Sequence, residues 1–404
     1  MTVIAVDDLS GGFVANLPPS VTFVQGDVKC PIFLAALFDE YKFEFVYHLA
    51  AFAAEGLSHF MRSHTYRNNL LASTEMINQA VKHGVKTFVF SSSIAVYGAL
   101  KPPMSEEQQP LPEDPYGISK YATELDLDAA KNMFGMNHII LRLHNVYGPN
   151  QNMYDKYRNV VGIFMNQRLR GEKMTIFGDG KQKRAFSYID DVAPIIAMAP
   201  LVKQAHNQIF NVGADTPFTL KELAVAVSVA LGEGDKPDIM YHAARKEVAE
   251  AHSDHSKMRC FFNPHAPTEL KVGMEHMVKW MRKHGQAIKP VEYPNVEVIQ
   301  KLPASWFSNG LMEVPRIKHA GAAALWQNAV PQGFQPKFVG VTPMVSEELI
   351  TNYRKEVGET FSKVAAPMKW RQPGDINPTR PKTLLTIHTS VSMWHITENM
   401  LLSL

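Results

Sequence analysis

Cysteine is nearly absent: Cys30 and Cys260 are the only two in 404 residues. Two thiols cannot build a disulfide framework, so a reducing compartment, the cytoplasm, is expected. No run of 18 or more apolar residues occurs, which argues against a membrane span. The most apolar window, residues 192–202, is interrupted by Pro194 and Pro200 and follows Asp190-Asp191. The N-terminus lacks a basic stretch followed by an apolar one, so no signal peptide is expected. Neither charge sign dominates: 41 Lys and Arg stand against 39 Asp and Glu. A net charge of +2 supplies no field for nucleic acid or a membrane surface. What remains is a globular composition, 46% apolar and 20% charged, long enough for two or three domains.

The first third alternates short apolar runs with helical patterns. Residues 2–6, 21–24, 43–48, 87–90 and 138–143 read as strands; 32–41, 66–83 and 120–134 carry apolar residues at helical spacing. Such alternation predicts βαβ units and a parallel sheet covered on both faces. Residues 1–150 are read as this domain. Residues 151–289 form a smaller, mixed substrate-binding region interleaved with it. It has helices expected at 161–170, 219–231 and 275–284 and a strand at 209–213. Prolines punctuate a linker at 290–306, and 307–404 remains an unassigned extension.

Chemistry concentrates in a few places. Ser91-Ser92-Ser93 closes the strand at 87–90, and Tyr116 and Lys120 lie four residues apart at a helix start. Positions i and i+4 share a helix face, so phenol and amine can enter one cleft. A neighbouring cation favours the phenolate. With Ser93 sharing the proton, this is a device for moving a proton on an alcohol. Asp7, ending a strand, suits the ribose hydroxyls of a dinucleotide and repels a 2′-phosphate, favouring NAD over NADP. It also suits a turn. Asp27, in Gly26-Asp27-Val28 after the next strand, can reach an adenine amino group or again suits a turn. His48-Leu49-Ala50-Ala51 ends a strand in small residues that permit close approach of a flat ligand or of a helix. Asn69 is a helical amide that needs partners if buried. His252 and His255 have the spacing of metal ligands, but nothing else in the sequence supports a metal site.

These stretches together resemble the extended short-chain dehydrogenase/reductase superfamily, in its NAD-dependent epimerase/dehydratase branch. The resemblance covers roughly residues 2–285 and is greatest to sugar-nucleotide 4-epimerases of the UDP-glucose type. It rests on the segments already quoted and on residues 142–149 (RLHNVYGP), 177–186 (FGDGKQKRAF) and 253–257 (SDHSK). It implies a Rossmann-like doubly wound α/β fold, NAD as cofactor, a nucleotide-sugar substrate and a homodimer. It further implies Tyr116 as acid/base, Lys120 on the nicotinamide ribose and lowering the tyrosine pKa, and Ser93 on the sugar hydroxyl. Asp7, Asp8, Asp27, Val28, Ala50 and Asn69 fall at cofactor positions. Asn145, Arg184 and Arg245 fall at positions for the substrate diphosphate. Reversible oxidation at carbon 4 of a hexose would then invert it, as in galactose metabolism. Related dehydratases carry an acid just after the Ser/Thr. Ile94 and Ala95 stand there, so dehydration is less expected. A reductase of the same superfamily and a catalytically silent NAD-binding protein are the alternatives.

Two departures qualify the resemblance. The family opens with a strand and a G-x-x-G-x-x-G turn that cradles pyrophosphate. Asp7 leaves no room for it, so roughly 25 to 35 residues of first strand and helix are expected to be missing. The chain is then expected to bind NAD poorly or not at all, its second and third strands cut off from the rest of the sheet. The run 380–389 (RPKTLLTIHT) reads as the opening strand of a further α/β unit, or else as part of an irregular extension lying on the first domain.

Overall fold

A computed structural model describes residues 2–245, 247–284, 296–307 and 383–387. Most of the expected linker and extension therefore lies outside the described residues. The principal element is a seven-stranded parallel sheet. In chain order its strands are β1 (Thr2–Asp7), β2 (Thr22–Gln25), β3 (Phe45–His48), β4 (Thr87–Ser93) and β5 (Asn137–Leu143). Four two- to four-residue strands intervene among the smaller sheets: β6 (Val146–Tyr147), β7 (Met174–Phe177), β8 (Lys183–Ala185) and β9 (Ser187–Tyr188). The chain then re-enters the principal sheet as β10 (Gln208–Val212), and β11 (Pro217–Thr219), β12 (Ile239–His242) and β13 (Glu250–Ala251) complete the small sheets.

The spatial order is β10-β5-β4-β3-β14-β1-β2, where β14 is Thr383–Ile387. The stranded second and third strands expected from the sequence are therefore not what the structure shows. The far end of the chain supplies a parallel strand between β1 and β3, the place that the usual doubly wound order gives to the first strand. Within the run at 380–389, the described residues Thr383–Ile387 form a regular strand of the principal sheet.

Alternation along the strands builds two cores. Val3, Tyr47, Val89, Ile139 and Leu384 face one side of the sheet; Ile4, Val46, Phe88, Ile140 and Leu385 face the other. The second side is covered by α1 (Pro31–Tyr41), which contributes Leu34, Leu37 and Phe38. Beyond the short α2 (Glu55–Ser58) and α3 (Arg62–Tyr66), it is also covered by α4 (Ala72–Lys82) and α5 (Pro115–Phe134). The first side is covered by α6 (Val160–Leu169), α7 (Ile189–Met198), α8 (Leu220–Leu231), α9 (Ser256–Phe262) and α10 (Leu270–His284). Helices on both faces of a parallel sheet make this a doubly wound α/β fold. Among the described residues no helix is long and apolar enough to cross a membrane.

Helix α5 positions the site, and its sequence fixes where it begins. Asp114 caps it, accepting from Gly117 N at 2.8 Å; Pro115 occupies the first turn, and Gly135 ends it in the left-handed region at φ 75°. Further along, Glu124 accepts from Arg142 of β5 through both oxygens, at 3.0 and 2.6 Å. Both side chains are only 2% exposed. Arg142 also donates to the Tyr97 hydroxyl at 2.8 Å, which in turn donates to Asn211 of β10 at 2.8 Å. Such a pair is costly to break because the surviving charge has no water. Replacing Glu124 by Gln should therefore destabilise the protein by about 3–5 kcal/mol in urea denaturation. A loss below about 1 kcal/mol would show that the pair does not hold α5 to β5.

Candidate active site

Three consecutive serines at the end of β4 each engage α5. Lys120 Nζ donates to the Ser91 carbonyl at 2.6 Å. The Ser92 hydroxyl donates to Glu124. The Ser93 side chain lies beside the Tyr116 phenol and favours its ionised form, while Ser93 Oγ accepts from Ala95 N at 3.1 Å. Ser93, Tyr116 and Lys120 thus meet at one wall of a cleft of about 920 Å³. Asn145, Arg184 and Arg245 line the same cleft. Asn145 is held at a left-handed φ of 42° and donates to the Ala185 carbonyl at 2.9 Å. Arg184 is braced by the carbonyls of Lys183 and Val248 at 2.8 and 2.6 Å. Arg245 pairs with Glu247 and lies over the rings of Phe177 and Trp306, 4.5 and 5.6 Å from their centroids.

Burial sets the proton affinities. The Tyr116 phenol is pushed up to about 12, mainly by desolvation and then by the charges of Glu55 and Asp114. Ser93 and Arg158 pull it back. Lys120 is pulled down to about 7 because its ammonium is desolvated, with Glu124 opposing. Its nitrogen lies 4.7 Å from the Phe90 ring centroid and 5.9 Å from that of Tyr116. The expectation that Lys120 depresses the tyrosine is therefore not met in this state. Its charge is spent on Ser91 O, and burial outweighs it.

The remaining sequence-expected residues do not line the cleft; they gather at the neighbouring strand ends. Asp7 is 1% exposed. Its Oδ1 accepts from Leu9 N at 2.6 Å, and its buried Oδ2 has no partner among the described residues. Burial, more than the adjacent Asp8, pushes its carboxyl up to about 8. Asp8 accepts from Ser10 N at 2.9 Å. Lys29 gathers this corner: its ammonium lies 3.0 Å from Asp27, 3.8 Å from Asp8 and 2.8 Å from Asn68 Oδ1. Val28 and Ala50 are buried, at 6% and 2% exposure. Asn69 sits on a π-helical turn, Arg67–Leu71, and its amide clamps Phe52, accepting from its N–H at 2.7 Å and donating to its carbonyl at 3.1 Å. Asn69 therefore shapes the loop after β3. His255 Nδ1 meets Asp215 at 2.7 Å and its Nε2 meets His144 Nε2 at 2.9 Å.

Sequence reasoning missed Glu55 and Arg158, both of which line the cleft. Glu55 follows the small-residue strand end and opens α2, a position that could have flagged it. Its side chain opens to the cleft, yet desolvation, ahead of repulsion from Asp114, raises its carboxyl to about 7.

The orphaned Asp7 Oδ2 is a test of the cofactor. A buried acceptor without a donor is costly, and a ribose diol would satisfy it. The sequence model of the "NAD dependent epimerase/dehydratase family" matches residues 1–213. The chain belongs to the NAD-dependent epimerase/dehydratase family. It is thus an NAD-dependent enzyme of the epimerase/dehydratase class. It is similar to the UDP-glucose 4-epimerase of Thermotoga maritima crystallised with UDP-glucose, at 32% identity and a TM-score of 0.65 over 70% of this chain and 92% of that one. It is similar to the UDP-glucose 4-epimerase of Thermus thermophilus in complex with NAD, at 25% identity and a TM-score of 0.63 over 71% and 100%. It also matches the dTDP-glucose 4,6-dehydratase of Streptomyces antibioticus, 30% identical over 231 residues, 55% of this chain and 65% of that one.

The Asp7 carboxyl carries a signature of its own. It is raised in the folded state, so its stabilising contribution is complete below about pH 4 and is lost as pH rises through about 8. Asp7→Asn removes that dependence. Without cofactor, the variant's melting temperature relative to the parent should climb between about pH 4 and pH 8. Its NAD affinity should fall at least about tenfold, the loss of one hydrogen bond between ribose and carboxyl. A melting difference that does not change with pH would contradict the placement.

Proposed function

We propose that this enzyme is a sugar-nucleotide 4-epimerase of the UDP-glucose/UDP-galactose type. The observation that carries the reading is that Ser93, Tyr116 and Lys120 line one cleft together with Asn145, Arg184 and Arg245. NAD, when bound, supplies the acceptor and donor of hydride. Tyr116 takes the proton of the sugar 4-hydroxyl through its hydroxyl oxygen and returns it, with Ser93 fixing the alcohol in line. Lys120, buried on Ser91, orients the ribose side of the cofactor. Arg184 and Arg245 suit paired phosphate oxygens, Arg245 held flat by Phe177 and Trp306. Anchoring through the diphosphate lets the hexose turn over without escaping. Galactose metabolism is the natural setting for such an activity. The two exposed, unpaired cysteines suit the cytoplasm. Exposed Leu71 and Leu125, 57% and 52% accessible near the α4–α5 layer, suit a homodimer.

A second reading has one observation behind it. Ile94 and Ala95 cannot move a second proton, but Glu55, poised near 7 and close enough for its charge to act on Tyr116, could in a dehydration. Product analysis with UDP-glucose separates the readings: inversion at carbon 4 with no net NADH, against a product lighter by one water. Tyr116→Phe should lower the epimerisation rate by about 10²- to 10⁴-fold with NAD affinity little changed. Retention of full rate would end the assignment, and no turnover by the parent would favour a silent NAD-binding protein.

A further inference from the structure

Strand β14 is, among the described residues, the element that joins β1 and β2 to the other four strands of the principal sheet. It pairs with β1 from Thr2↔Thr383 to Val6↔Ile387, and with β3 from Phe45↔Leu384 to His48↔Ile387. Leu384 enters the core on one face and Leu385 the core on the other, both fully buried. Its sequence, TLLTI, is the near-continuous apolar and β-branched run that a strand covered on both faces requires. The strand ends that it links belong to the two halves of the cofactor region. Asp7 follows Val6 on one side, and Leu49 and Ala50 follow His48 on the other.

We propose that docking of this carboxy-terminal strand between β1 and β3 completes the cofactor site, so that NAD affinity depends on it. Without the strand, β1 and β3 would face each other across a gap with unpaired backbone N–H and C=O groups. The Asp7 end would then have no fixed distance to Ser93, Tyr116 and Lys120. The occupant is the chain's own segment. A parallel neighbour needs a crossover of about a dozen residues or more, and residues 308–382 intervene. Because docking and cofactor binding fix the same strand ends, each tightens the other by the same factor. The coupling rests on the cofactor reading above; the docking itself does not.

Two measurements separate these. In a chain with Cys30 and Cys260 changed to serine, Ala5→Cys and Thr386→Cys introduce thiols at register partners. Adjacent strands bring their Cα atoms within disulfide reach. Mild oxidation should give an internally linked single chain that still binds NAD. In the otherwise natural full chain, Leu385→Asp should weaken NAD binding at least tenfold in a calorimetric titration, while Leu111→Asp, at a 60% exposed position, leaves it unchanged. No cross-link, or one between two chains, overturns docking of the chain's own strand. Unaltered affinity in Leu385→Asp overturns the coupling. A cross-linked chain with no NAD affinity overturns the coupling together with the functional reading, leaving the docked strand standing.

Discussion

Everything at the site hangs on the contact between one helix and one strand end. Ser91, Ser92 and Ser93 offer a carbonyl and two hydroxyls in succession, and Lys120, Glu124 and Tyr116 of α5 meet one each. Lys120 and Glu124 are one helical turn apart, as are Tyr116 and Lys120, so a single rotation of α5 about its axis would undo all three. That rotation is fixed from below by the Arg142–Glu124 fork and from the end by the Asp114 cap. A phenol placed by the same interactions that hold the fold together, the acid/base of the proposed reaction, needs little reorganisation when substrate arrives.

The same burial makes the site electrostatically tense. A buried ammonium and a buried phenol share poorly solvated space with the Glu55 carboxyl, and each is shifted away from its charged form. Groups poised near neutrality suit proton transfer, and they mark functional sites more often than structural ones. The resting phenol near 12 is too weak an acid to act alone. The bound dinucleotide's cationic ring would draw it down, so that the phenolate able to accept a proton forms only in the assembled complex.

Much of this was legible in the chain because it is local. The strand at 87–90, the Tyr116/Lys120 spacing and the Thr219 cap of α8 are short-range patterns, and Thr219 with Glu222 forms a reciprocal capping box. Local reading failed where packing decides. Residues 66–83 look like one helix, yet the π turn at Arg67–Leu71 interrupts it, where the Asn69 amide bonds to Phe52. Helix α10 begins at Leu270 rather than 275, and Gly273 within it admits Tyr147, whose hydroxyl would lie 2.1 Å from a Cβ. Glu55 and Arg158 gain meaning only from what lies across the cleft. The pairing of Thr383–Ile387 with β1 and β3 links opposite ends of the sequence, a register that no local pattern encodes.

The central claim is that the α5–β4 contact presents an acid/base to a sugar alcohol whose hydrogen is removed and restored within one closed complex. The most direct measurement uses UDP-glucose deuterated at carbon 4, followed by mass and NMR analysis of the product. Inverted sugar that keeps its deuterium at carbon 4, with none appearing in water or in free reduced cofactor, is the predicted result. Deuterium lost from carbon 4 in the inverted sugar would contradict it.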